Sequence, residues 1–171
     1  MNRTKPGITI LELILTLSII ITVLGIAGFM FTTGNKEFND SDVRSTLQIE
    51  GEKIQEKISD IGLQASNIET VFPDKQSGEI DYIIIKSCVE DDGFTRYFKI
   101  QKRGKKLIVD KDISMSFSNS SNNEIISENI DKFSITKNPN NKSISFDINL
   151  KKSTGFIDTI NHEINFTIYL T

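Results

Sequence analysis

Residues Leu13 to Asn35 form a run of 23 side chains without a single charge, and a carboxylate, Glu12, stands immediately before it. Wound as an α-helix at 1.5 Å per residue, that run reaches about 34 Å, enough to cross a hydrocarbon core. Ahead of it lies Met1-Asn2-Arg3-Thr4-Lys5-Pro6-Gly7, a short polar stretch with two positive charges. By the positive-inside bias these hold the N-terminus in the cytoplasm and send the rest of the chain outward. The expected location is the cytoplasmic membrane, crossed once, with the main body outside.

Glu12 is the anomaly. An ionisable side chain in a membrane segment costs about 2.5 to 3.5 kcal/mol on insertion scales, so it implies a function and a partner. A free amino group four residues upstream would serve, and a cut after Gly7 would create one at Ile8. A carboxylate buried alone is costly and a paired one is tolerated.

The segment Lys5-Pro6-Gly7-Ile8-Thr9-Ile10-Leu11-Glu12-Leu13 resembles the class III signal sequence of type IV prepilins and pseudopilins. The resemblance implies that a prepilin peptidase cuts between Gly7 and Ile8 and methylates the new N-terminus. It implies too that Glu12 pairs with the N-terminal amine of a neighbouring subunit during assembly. The implied partners are that peptidase, other pilin subunits met through the N-terminal helix, the pilus assembly platform, and membrane lipid before assembly. The mature chain would end in an extracellular pilus. Cleavage would leave residues 8–171 and remove Arg3 and Lys5, taking the side-chain charge from −3 to −5.

Two positions depart from the commoner family pattern. Ile8 stands where Phe is usual, and Phe29 stands where many major pilins have proline. The second removes a helix breaker and points to a minor pilin or a pseudopilin. Gly25 and Gly28 still allow local loosening, each weakening a helix by about 1 kcal/mol relative to Ala. A removable secretory signal, with Leu13 to Leu24 as its apolar region and Gly25-Ile26-Ala27 as its cleavage site, is one rival reading. A plain single-pass anchor is another, and neither accounts for Glu12.

The expected organisation is a leader over 1–7, a transmembrane or filament-core helix over 8–35, and a head over 36–171, since 171 residues leave room for one domain plus a helix. Val43, Leu47, Gly51, Ile54, Ile58, Ile61 and Ala65 fall at spacings of three and four, which predicts an amphipathic helix over about 38–66. Asn39, Asp40 or Ser41 could cap its start, after a break near Gly34-Asn35, or the two helical parts could run on as one rod.

A single apolar stripe needs a sheet to cover it. Ile80 to Lys86 reads as a strand; Phe94, Arg96, Phe98 and Ile100 alternate with polar neighbours; and Lys102-Arg103-Gly104 turns into Lys106 to Val109 as a hairpin. Ser114 to Glu124 reads as an exposed loop. Alternation returns at Phe133 and Ile135, at Ile144 to Leu150 beyond the turn Asn138-Pro139-Asn140-Asn141, and at Ile164 to Leu170. The fold class expected is α+β, a long N-terminal helix packed on an antiparallel sheet, which agrees with the pilin fold. Tyr97, the Gly104-x-x-Leu107 turn and Ile130 to Ile135 resemble the PilW-like, or J-type pseudopilin, branch.

Chemistry is sparse. The net charge of −3 is spread without a basic block, which gives no sign of nucleic-acid binding; Lys99, Lys102, Arg103, Lys105 and Lys106 gather near one hairpin and read as a solvated turn. Cys88 is the only cysteine, so no intrachain disulfide is possible, and it reads as a small buried hydrophobe. His162, the only histidine, reads as solvated rather than as a metal ligand. Glu90-Asp91-Asp92-Gly93 and Asp110-Lys111-Asp112 lack the ligand spacing of a calcium loop. No phosphate loop, nucleophile elbow or nucleophile with a base is recognisable. The expectation is a non-enzymatic minor pilus subunit without cofactor or metal, with a competence or secretion pseudopilin and an unrelated membrane-anchored module as alternatives.

Overall fold

In the computed structural model, which describes residues 9–74, 76–87, 95–115, 117, 123–138, 143–155 and 159–170, one helix, α1, runs from Ile10 to Leu63. Nine strands follow: β1 (Ala65–Phe72), β2 (Ser77–Glu79), β3 (Tyr82–Ser87), β4 (Tyr97–Arg103), β5 (Lys106–Asp112), β6 (Glu124–Ser127), β7 (Ile130–Lys137), β8 (Ser143–Ser153) and β9 (Thr159–Tyr169). No break occurs at Gly34-Asn35, and Asn39, Asp40 and Ser41 lie inside the helix rather than capping it. The chain divides into two compact units, one up to Ser41 and one from Asp42 onward.

Within the second unit the helical period decides which side chains are covered. Val43, Leu47, Gly51, Ile54, Ile58, Ile61 and Gly62 are the buried residues of α1. The expected stripe is therefore the core-facing one, except that its last member, Ala65, is buried at the start of β1. The stripe packs into one apolar core with Ile83, Ile85, Phe98, Ile100, Leu107 and Val109 from one sheet and Phe133, Ile135, Ile144, Phe146, Ile148 and Leu150 from another.

The head has two antiparallel sheets where a single one was expected, a five-stranded sheet ordered β1-β3-β4-β5-β6 and a four-stranded sheet ordered β2-β7-β8-β9. The chain changes sheet between consecutive residues. The Ile80 N–H donates to the Phe133 carbonyl at 2.9 Å, and the Asp81 N–H donates to the Phe72 carbonyl at 2.7 Å. The β4–β5 hairpin turns as anticipated, with Arg103 opposite Lys106 and Gly104 at a φ of 61°, a left-handed position that suits glycine. Strand β9 closes the sheet by pairing Ser143–Ser153 residue for residue from Tyr169 back to Thr159.

Polar contacts hold helix to sheet at one edge. Glu50 accepts from the Ser127 hydroxyl at 2.7 Å and from the Asn129 side-chain amide at 2.7 Å, while the Asn129 N–H donates to Ser127 Oγ at 3.1 Å. Partly buried, these bonds to a charge each contribute about 1.5 to 3 kcal/mol. The more exposed Lys57–Glu124 ion pair at 2.6 Å contributes about 1 kcal/mol or less.

Close packing at the end of the helix depends on Gly62, where a Cβ would lie 2.8 Å from Ile168 Cβ. Helix propensity alone predicts that Gly→Ala gains about 1 kcal/mol; here the overlap with a branched, buried side chain reverses the sign. Gly62→Ala is expected to destabilise the head by about 1 to 3 kcal/mol in chemical denaturation. Gly34→Ala, whose Cβ meets nothing within 4 Å, is expected not to.

Candidate functional site

The first unit contains the anomaly from which a function can be argued. Every large apolar side chain from Ile10 to Phe31 is between 53 and 80% exposed, on all faces of the helix. This part of α1 is long and apolar enough to cross a membrane by length and composition. A segment that is apolar all round finds its complement in a surrounding of the same polarity.

Four of its hydroxyls are already satisfied. Thr16 Oγ1 donates to the Glu12 and Leu13 carbonyls at 3.0 and 2.9 Å, Ser18 to Leu15 at 2.8 Å, Thr22 to Ser18 at 2.9 Å, and Thr32 to Gly28 and Phe29 at 3.2 and 2.9 Å. Each returns to the backbone one turn earlier, so none needs an external partner. Glu12 differs: among the described residues its carboxylate has no hydrogen bond or ion pair, and no other ionisable side chain falls between Ile10 and Asn35.

Helix α1 begins at Ile10, which places Glu12 in the first turn, and the Thr9 hydroxyl accepts from the Glu12 backbone N–H at 3.3 Å. The Leu13 N–H donates to the Thr9 carbonyl at 3.1 Å. Thr9 is thus the N-cap, and Thr9-x-x-Glu12 has the spacing of a capping box. The signal was in the sequence but was absorbed into the signal-peptide resemblance. A carboxylate in the first turn also meets the positive end of the helix dipole, an attraction of about 0.3 to 1 kcal/mol at an exposed site. That is smaller than the insertion cost of about 2.5 to 3.5 kcal/mol, so the dipole alone does not balance Glu12 in lipid. Gly7 and Ile8 lie outside the described residues.

The other candidate chemistry does not converge. Asp110 is buried in β5, where its Oδ2 accepts from the Gln101 amide at 2.7 Å and its Oδ1 has no partner. Burial pushes its carboxyl above the usual range, against the opposing pull of Arg103, Lys99 and the Gln101 bond. Asp112 instead accepts the Ser114 N–H at 3.1 Å, and Lys111 stands over the Phe98 ring at 5.2 Å. Among the described residues no three His, Cys, Asp or Glu side chains are grouped to hold a metal ion. Cys88 and Glu90-Asp91-Asp92-Gly93 lie outside the described residues.

Of the hairpin cations, Lys102 bonds Glu79 and the Asp131 carbonyl, Lys106 pairs with Glu128 at 2.7 Å, and Lys99 sits 4.7 Å from the centre of the Tyr82 ring. The paired Lys106 holds the Glu128 carboxyl below its usual range. His162, read from the sequence as solvated, is half-buried against Gly51.

The two parts of α1 make a direct prediction for the full chain in bilayers. In a Cys88→Ser background, nitroxides at Leu17, Ile20, Val23 and Ile26 are expected to meet dissolved oxygen alike and to be shielded from an aqueous nickel complex, whichever face they occupy. Nitroxides at Gln48 and Lys53 should be open to the nickel complex. Strong nickel access along one face of the first set would contradict a lipid surrounding. Comparison of the chain with family profiles, with curated proteins and with solved structures returned no match.

Proposed function

We propose that the chain is a minor subunit of a type IV pilus, made as a prepilin, processed after Gly7 by a prepilin peptidase and assembled into an extracellular filament through its N-terminal helix. The observation that carries this reading is the state of Glu12. It is the one ionisable side chain on a wholly exposed apolar helix segment in which Thr16, Ser18, Thr22 and Thr32 are satisfied internally. Its position at the start of the helix suits a partner amine from a neighbouring chain, and the class III resemblance around Gly7, Ile8 and Glu12 supplies the route by which such an amine would arise.

The separate head, an amphipathic helix on antiparallel sheets, supports a role as a projecting module that packs its own core and leaves the apolar segment for lipid or for neighbouring helices. In this reading the protein works by assembly and not by catalysis. Free in the bilayer, Glu12 bears an unpaired cost; in the filament a neighbour's amine offsets it, so staggered packing is favoured over the monomer.

Two substitutions test the proposal. Glu12→Ala is expected to lower the amount recovered in sheared surface filaments by about tenfold or more, since the pairing has to offset an insertion cost of about 2.5 to 3.5 kcal/mol. Gly7→Phe is expected to block processing and incorporation together. In both variants the thermal midpoint of the head should stay at its wild-type value, as neither residue belongs to its core. Wild-type incorporation of either variant would overturn the proposal.

A further inference from the structure

Between the head portion of α1 and strand β9 lies a hollow of about 240 Å³, lined by Arg44, Gln48, Ile160, Asn161 and His162. Arg44, Gln48 and Gly51 follow one another at i, i+4 and i+7, one face of the helix. Gly51 makes the hollow possible in this form, because a Cβ there would lie 3.0 Å from His162 Nε2 and crowd the imidazole. Strand register then adds a backbone donor. The Lys151 N–H is directed to the Asn129 carbonyl at 2.7 Å, away from β9. Its partner across the ladder, Asn161, is therefore the non-hydrogen-bonded kind, with its N–H pointing off the open edge of β9.

A guanidinium and an outward backbone N–H can only donate, the Gln48 amide and the His162 imidazole can each supply a donor, and no carboxylate lines the hollow. Lys152, opposite Ile160 in the ladder, adds an ammonium on the same sheet face. Along the helix Asp40 stands four residues before Arg44, and Glu52 stands four after Gln48 and accepts from its Nε2 at 3.1 Å, while Glu163 lines a different hollow on the outer face of the sheet. Among the described residues the side chains of Arg44 and His162 have neither a hydrogen bond nor an ion pair. The volume leaves room for a small anion with several waters, each taking about 30 Å³.

We infer that this hollow binds an oxyanion, a carboxylate or phosphate group, with Arg44 as its anchor and His162, Gln48 and the Asn161 N–H completing the cradle. A guanidinium offers paired donors in a plane that matches two oxygens of such a group, which gives both strength and orientation. The group would come either from a free anion or from an acidic side chain of a neighbouring protein. The inference does not depend on how Gly7 or Glu12 is used.

The test uses the full chain in detergent micelles with ¹⁵N-labelled histidine, whose imidazole signals come from His162 alone because it is the only histidine. Inorganic phosphate, added at constant ionic strength, is expected to shift those signals to saturation. In Arg44→Ala, with an unchanged thermal midpoint, the dissociation constant is expected to rise by about tenfold or more. A shift that never saturates, or one that saturates equally well in Arg44→Ala, would overturn the inference. A photo-crosslinker at Gln48 in cell membranes separates the sources: a discrete protein adduct assigns the oxyanion to a neighbour's carboxylate, and no adduct alongside saturable phosphate binding assigns it to a free anion.

Discussion

The structure depends on one change of surface along a single helical period. Helix α1 is apolar on every face from Ile10 to Phe31 and apolar on one stripe from Val43 to Ile61. The same 3.6-residue repeat therefore imposes two different burial problems. The second is solved inside the protein, where two sheets cover the stripe and Gly51 and Gly62 let β9 come close. The first has no solution within the described residues, and a surrounding of lipid or of other helices is the physical answer to it. The head can keep its fold by its own contacts whichever apolar surrounding the N-terminal part meets.

In the proposed function the N-terminal part exchanges lipid for neighbouring helices, and Glu12 gives that exchange a direction. Apolar contact is nearly indifferent between lipid tails and neighbouring side chains, so a segment of hydrocarbon alone has little reason to prefer a filament. A carboxylate changes this because its cost depends strongly on whether a positive group is near. Thr9 fixes where the helix starts and so where Glu12 stands.

Much of the fold was legible because burial follows period. The stripe from Val43 to Ile61 was read residue by residue, and β3, β5, β8 and β9 were readable from β-branched runs or from strict alternation. The misses have physical reasons. Strand β1 follows α1 after a single residue and carries two register shifts against β3, so its burial never alternates cleanly; its first two residues were read as the tail of the helix and the rest was not read as a strand. Strand β2 is Ser-Gly-Glu and has no apolar signal, and β6 was masked by the Ser- and Asn-rich stretch before it. Alternation marks a strand's buried face but does not say which sheet it joins, so the division into two sheets was not readable. At the site, the position of Glu12 was legible but its capping partner Thr9 was passed over. The half-buried setting of His162 depends on a glycine 111 residues away in sequence, a juxtaposition that only the fold creates.

The most direct measurement is the N-terminal residue and intact mass of the protein taken from membranes and from sheared surface filaments, with the prepilin peptidase present and absent. The account predicts a chain that starts at Ile8, carries a methylated amine when that peptidase is present, and stays unprocessed when it is absent. A start at Gly28, or an intact Met1 while the peptidase is active, would contradict it.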